Sequence, residues 1–430
     1  MNKEFLIERR EKSVRNLRGW ILIYGRIKTG KTFLLRRIFK DAHYFAVTKA
    51  GYIIFEEKGE ATCINVKEAV SRIGSLLRRG ETVILDEFQR LSNRFLNEIA
   101  ANHPSGKLIA STSSLGIAKK IFGRKNPFSG LFTPFKMDLI RYSDAILSLS
   151  NVCSSPRNML LYGLIIRDPW IIPIMSFKRD AVSEICNKVH CLLASASGLI
   201  GEVFEEEERS LTRVYDAVLR LVGGGFWKPA AIAEILLSNN LISGGLPTVT
   251  GLLERLVNMG LLEKIPLWKT KGSRCYFKHK SPPLSIIYSL DLKFNLTEGD
   301  GKKIDRNIVS SVLEKEFQFA LGEMLSEYFG GVRSYTILPN SKEDIDIVIL
   351  DARGKKPIIG YEVKLKEFNV REAEKAIETI HSYGIPKAGL ISASAKPPSV
   401  KESFMELGPE ELINIARQIS LKSLTLSNPV

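Results

Sequence analysis

The sequence predicts a multi-unit α/β protein, and three observations carry that prediction. Between Trp20 and Leu139 short apolar runs alternate with stretches of helical periodicity. Between residues 209 and 293 three helical stretches precede two β-rich runs around a basic turn. From residue 305 to 420 a long helix precedes a second alternation of strands and helices. At roughly 100–200 residues per domain, 430 residues suit two to four such units. The expected division is 1–141, 142–208, 209–293 and 305–420.

In the first unit WILIYG reads as a buried strand and TFLLRRIF as the helix after it. YFAVTKAG, GYIIFEE, ETVILDEF and GKLIASTSS read as further strands, and VKEAVSRIGSLLRRG and RFLNEIAANH as helices. Short strands alternating with helices argue for a parallel sheet covered on both faces. Residues 142–208 read as mostly helical, and the acidic run EVFEEEERS as a solvated helix face or linker. In the third unit the helices are LTRVYDAVLRLVGG, PAAIAEILLSN and TVTGLLERLVNMG, the last with Thr248 or Thr250 as N-cap. The strands LLEKIPLW and RCYFKHK follow around KTKGS, which is the order of a winged helix-turn-helix.

Composition narrows the function classes. The formal net charge of +15 favours a polyanionic partner, nucleic acid or an anionic membrane surface. The five cysteines (63, 153, 186, 191 and 275) form no CxxC pair, which excludes a disulfide framework or zinc ribbon and points to reduced thiols in the cytoplasm. The first residues lack an apolar signal core, and Arg167, Asp168 and Pro169 break the most apolar span, so no membrane association is expected.

The strongest motif is Gly25-x4-Gly30-Lys31-Thr32, between a strand and a helix. Glycines there let backbone N–H groups wrap a phosphate, and the helix N-terminus adds attraction. Gly25, Arg26, Ile27, Lys28, Thr29, Gly30, Lys31, Thr32 and Phe33 are the expected nucleotide-binding residues. Lys31 would reach the β- and γ-phosphates of ATP, and the Thr32 hydroxyl would ligate Mg²⁺. Such a loop requires an acid at the end of another buried strand, and VILDEF supplies two. Asp86 would hold Mg²⁺ through water and Glu87 would polarise the attacking water. The strand LIASTSS ends in hydroxyls, and Ser113, or Thr112, could position that water.

On FLIERREK, IYGRIKTGKTFLL, VILDEFQ and LIASTSSLG, residues 5 to about 290 resemble the archaeal ATPase family of the AAA+ class. The segment GRKNPFSGLFTPF is similar to the Gly-Arg…Pro-Phe segment after that family's third strand, which makes Arg124 a candidate arginine finger. Where the family carries a glycine-rich segment, near 163–169, this chain reads YGLIIRDPW.

Two further groups of residues suggest what the second half does. Residues 251–280 carry seven basic side chains against two acidic ones, and Lys269, Lys271 and Arg274 sit in or beside the wing, where DNA phosphates would be met. In the last unit, Glu362 and Lys364 are two apart on one strand and so share a face, with Asp346 on the strand before and Glu314, or alternatively Glu316, on the long helix. Carboxylates and a lysine on adjoining strands can bind Mg²⁺ and orient water on a phosphodiester. This group resembles the PD-(D/E)XK nuclease fold, a restriction-endonuclease-like domain, although the motif's proline is absent. The expectation is an ATPase, binding ATP and ADP with Mg²⁺, that handles DNA through its C-terminal half. The alternative is a slow nucleotide switch whose C-terminal unit is an inert binding module.

Overall fold

The computed structural model describes residues 7–57, 59–121, 128, 130–207, 209–269, 274–299, 304–335 and 344–426. The first unit contains β1 (Trp20–Tyr24), α1 (Lys31–Ile38), β2 (His43–Val47), β3 (Ile53–Glu57), β4 (Glu60–Ile64), α2 (Val66–Arg78), β5 (Thr82–Asp86), α3 (Asn93–Ala100), β6 (Lys107–Thr112), α4 (Leu115–Ile121) and β7 (Phe132–Lys136). The sheet order is β4-β3-β2-β5-β6-β1-β7. From β2 to β7 the five strands are parallel, and burial of the inner strands β5, β6 and β1 on both faces explains their near-continuous apolar runs. One core holds Leu22, Phe45, Leu85 and Ala110 against α2 and α3, and the other holds Ile21, Ile23, Ile84 and Ile109 against α1.

The parallel-sheet expectation needs three amendments. The strands read at 44–51 and 51–57 are a hairpin, so β3 pairs antiparallel with β2. An exposed fourth strand, β4, extends that hairpin at the edge, and its polar sequence hid it. β7 closes the other edge beside β1.

The helical segment comprises α5 (Tyr142–Ser148), α6 (Pro156–Ile165) and α7 (Ala181–Glu206). At 1.5 Å per residue, the 26 residues of α7 span about 39 Å. Next come α8 (Arg213–Gly223), α9 (Pro229–Ser238), α10 (Leu246–Asn258), the antiparallel pair β8 (Leu262–Pro266) and β9 (Cys275–His279), and α11 (Pro282–Phe294). α10 starts before either expected capping threonine. Gly245 precedes it, and Thr250 lies inside, its hydroxyl donating to the Leu246 carbonyl at 2.9 Å. Pro247 accounts for the earlier start, because proline suits the first helical turn.

The last segment is α12 (Arg306–Phe329), β10 (Val332–Ser334), β11 (Ile347–Leu350), β12 (Pro357–Lys364), α13 (Val370–Ser382), β13 (Ala388–Ser392), β14 (Ser403–Leu407) and α14 (Pro409–Leu426). Its sheet runs β10-β11-β12-β13-β14, antiparallel up to β12 and parallel after it. One apolar core runs without a break from Ile140 to Ile419. It joins the helical segment, the three-helix unit and one face of the second sheet, and α14 returns to pack on α5 and α6. Among the described residues no helix is long and apolar enough to cross a membrane.

Candidate active site

The phosphate loop follows β1, at the C-terminal edge of the sheet. Gly25 is required by a close approach: a Cβ there would stand 2.0 Å from the Met137 carbonyl oxygen. Gly30 is required by its φ of +89°, a conformation side chains disfavour. Within the loop the Thr29 hydroxyl donates to the Arg26 carbonyl at 2.9 Å. The Lys31 ammonium spans the loop, donating to the carbonyls of Gly25 at 2.9 Å and Arg26 at 3.1 Å. Burial lowers its pKa to about 8, against the opposing charges of Glu87, Asp86 and, from α7, Glu206.

Because β6 lies between β1 and β5, its end stands between the loop and the two acids. Asp86, 3% exposed, accepts from the Thr32 hydroxyl at 2.7 Å and the Tyr44 hydroxyl at 2.6 Å, and also from Ser111. Burial and this carboxylate push the Tyr44 phenol well above its usual range, which keeps it a donor. Glu87 has a left-handed φ of 55°, an uncommon backbone for a carboxylate side chain. Its two oxygens accept from the Ser113 hydroxyl and the Gln89 amide, both at 2.5 Å. The Arg90 guanidinium lies 3.8 Å away. Thr112 points elsewhere, accepting from the Ser114 amide at 3.2 Å, so Ser113 is the strand-end hydroxyl at the acid.

Several site residues escaped sequence reading. Ser111 shares the face of Ser113 by the period of two, a signal that was available. Tyr44 and Arg90 come from segments with no motif. Arg9 clamps the loop from the N-terminal side, donating to the Thr29 and Asp138 carbonyls, each at 2.7 Å. Arg26 turns away from the loop to a buried ion pair with Asp168, 2.5 Å, which ties the loop to the helical segment. Lys28 pairs with Glu202 at 2.6 Å, and Phe33 is 57% exposed on α1. Ile27 packs at the edge of the core that begins at Ile140. Arg124 lies outside the described residues.

The residues at the loop fit Mg²⁺. A hydroxyl and a carboxylate are hard oxygen donors, and this ion takes the rest of its shell from water and phosphate.

The second carboxylate group also converges. Asp346 precedes β11, whose register with β12 brings it opposite Glu362. Asp346 accepts from the Val363 amide at 2.8 Å, and Glu314 from the Leu365 amide at 2.9 Å. Burial first, and neighbouring carboxylates after it, push both Asp346 and Glu362 well above the carboxylate range. Lys364 pairs with Glu372 at 3.2 Å, over the Phe368 ring. Glu316 points away, to Lys278 at 3.0 Å. A lysine no motif marked, Lys315, stands within the field of Asp344 and Asp346. Among the described residues no three His, Cys, Asp or Glu side chains form a ready metal cage.

The basic hairpin is less open than its charge suggests. Lys269 donates to the Tyr383 carbonyl at 2.5 Å and lies over the Trp268 and Tyr383 rings. The Trp268 amide bonds the Tyr335 carbonyl at 3.1 Å, which docks the hairpin on the second sheet. Lys264 pairs with Glu254, Lys278 with Glu316 and Lys280 with Asp138. Arg274 is exposed, and Lys271 lies outside the described residues.

Residues 17–131 match the model of the AAA domain family. No curated protein matches the chain. Among solved structures it is similar to a Walker-type ATPase of Pyrococcus abyssi, at 17% identity and a TM-score of 0.46, over 66% of this chain and 97% of that one. It is also similar to the ORC2 protein of Aeropyrum pernix in ADPNP–ADP complexes, at 14% and 0.39, over 74% and 97%. A third is the ORC1 protein of Aeropyrum pernix in complex with DNA, at 15% and 0.31, over 72% and 93%. At such scores none of the three bears on the activity of this chain. The AAA-domain match, together with the loop geometry, supports a P-loop ATPase of the AAA type for the first unit.

Proposed function

We propose that this chain binds Mg²⁺–ATP at residues 25–33 and hydrolyses it with Glu87 as general base. The observation that carries this is the meeting of Thr32 and Asp86 at 2.7 Å, from a helix start and a strand end 54 residues apart. Lys31 exchanges two carbonyl partners for phosphate oxygens, and the anion restores the charge that burial disfavours. Bound Mg²⁺ supplies charge neutralisation at the phosphates. Glu87, aimed by Ser113 and Gln89, orients and deprotonates water. Nucleotide binding and turnover in wild type, Lys31→Ala and Glu87→Gln test the reading. Glu87→Gln should bind ATP and not turn it over, and Lys31→Ala should not bind. Equal turnover in all three refutes it.

Two readings of the second half follow, and each has an observation in its favour. DNA handling, with phosphodiester cleavage at Asp346, Glu362 and Glu314, is favoured by the convergence of these carboxylates on β12 and by the net charge of +15. Arg274, with Lys269 and Lys271 beside it, is then the phosphate contact. The nucleotide-switch alternative is favoured by the engagement of Lys364 with Glu372 and of Lys269 with Tyr383. Incubation with plasmid and branched DNA in Mg²⁺ or Mn²⁺ separates them. Nicking that Glu362→Gln abolishes supports the first reading. Equal product from both proteins supports the second.

A further inference from the structure

Four segments ring the phosphate site: the loop after β1, the turn after β2, the segment after β5 and the start of α4 after β6. The C-terminal end of α7 places a carboxylate against each. Glu202 pairs with Lys28 at 2.6 Å and Glu205 with Lys49 at 2.8 Å. Glu206, its side chain 7% exposed, pairs with Arg90 at 2.8 Å, and Arg90 in turn faces Glu87. Glu207 accepts from the Leu115 amide at 2.6 Å and the Gly116 amide at 3.1 Å. Glu202, Glu206 and Glu207 of the run EVFEEEERS are therefore engaged at the sheet edge, where its charge suggested a solvated face or linker, while Glu205 keeps most of its surface in solvent. Helical spacing turns it toward the sheet edge, where cations and free N–H groups stand.

We infer that the acidic end of α7 is an intramolecular phosphate mimic, which holds the cations and amides around the site and which a triphosphate displaces. The inference rests on the nucleotide-site reading above. A γ-phosphate at Lys31 and the carboxylate of Glu206 draw on the same cations, and in a partly dry site two anions repel strongly. Release of Glu206 leaves Arg90 beside Glu87 and the incoming phosphate. Because α7 packs on α11 and α12, a shift of its end moves the second half as well. A diphosphate places less charge there and displaces the helix end less.

The test is calorimetric titration of the full chain with Mg²⁺ and a non-hydrolysable ATP analogue, and separately with ADP. Wild type is compared with a Glu202→Gln/Glu205→Gln/Glu206→Gln variant. Triphosphate affinity should rise about tenfold or more in the variant, and ADP affinity by less than about threefold. An unchanged or weaker triphosphate affinity overturns the inference while leaving the nucleotide site standing. Failure of both proteins to bind any nucleotide fells the site reading and the inference together. Should the variant not fold, hydrogen exchange on wild type decides. Amides of 199–207 must exchange faster with the analogue bound, and slower or unchanged exchange overturns the inference.

Discussion

The two carboxylate groups of this chain are buried in opposite ways. At the sheet edge of the first unit, Asp86 and Glu87 meet donors, among them Thr32, Tyr44, Ser111, Ser113 and Gln89, with the Arg90 guanidinium beside Glu87. At β12, Asp346 and Glu314 each accept one backbone amide, from Val363 and Leu365, yet Asp346 and Glu362 also repel each other, with Asp344 and Glu314 adding to the repulsion. A buried carboxylate needs donors or a cation. The first group has its donors in place. The second carries mutual repulsion, which protons relieve.

The largest test of this contrast is activity. Glu87→Gln should lower ATP turnover by about 10²–10⁴-fold, the usual weight of a general base. Glu362→Gln should leave ATP turnover unchanged. A similar loss from both would make the groups one functional site. Gly25→Ala should abolish nucleotide uptake, since the added carbon meets the Met137 carbonyl at 2.0 Å. Uptake measured by calorimetry at wild-type affinity would show that the loop can move aside.

Stability against pH comes next. His279 is fully buried beside Tyr288, and burial lowers its pKa to about 4. A base with a lowered folded pKa is stabilising in its neutral form above about pH 6.5, and that stability is lost as pH falls towards 4. The loss is on the order of 3 kcal/mol by linkage. Denaturant melts of wild type between pH 7 and 4 should show it, and His279→Gln should flatten the curve. The second carboxylate group has the opposite sign. Its folded pKa values are raised, so stability falls as pH rises above about 4, where the unfolded carboxylates ionise. Glu362→Gln should therefore raise the stability at pH 8 by about 1–3 kcal/mol, and with it the melting temperature, and change little at pH 4. A destabilised variant at pH 8 would mean that the charged form has a partner.

The smallest effect concerns the hairpin. Lys269→Ala should cost only about 0.5–1 kcal/mol of stability, because an exposed cation over two rings contributes little. If it also lowers DNA affinity at low salt severalfold, Lys269 leaves Tyr383 to meet phosphate.

Local patterns reached far in the first unit. Glycines at 25 and 30, the hydroxyl at 32 and the acids after VIL are read from spacing alone, because a strand–loop–helix phosphate cradle is assembled by neighbours in sequence. Asp346, Glu362 and Glu314 were also legible, as a pair on adjoining strands and one turn of a helix. The misread charges have one cause. EVFEEEERS and the basic residues of 251–280, Lys269, Lys278 and Lys280 among them, were judged by charge, and charged runs usually face solvent. Here each found a partner far along the chain: Arg90 for Glu206, Tyr383 for Lys269, Glu316 for Lys278 and Asp138 for Lys280.

The sequence by itself determined the α/β alternation, the phosphate loop and its two acids, since these depend on periodicity and on contacts a few residues long. Only the tertiary structure decided which charges are spent inside the molecule. A side chain's Coulomb partner is set by distance in space, and a chain that buries one core from Ile140 to Ile419 brings together charges that no local pattern connects.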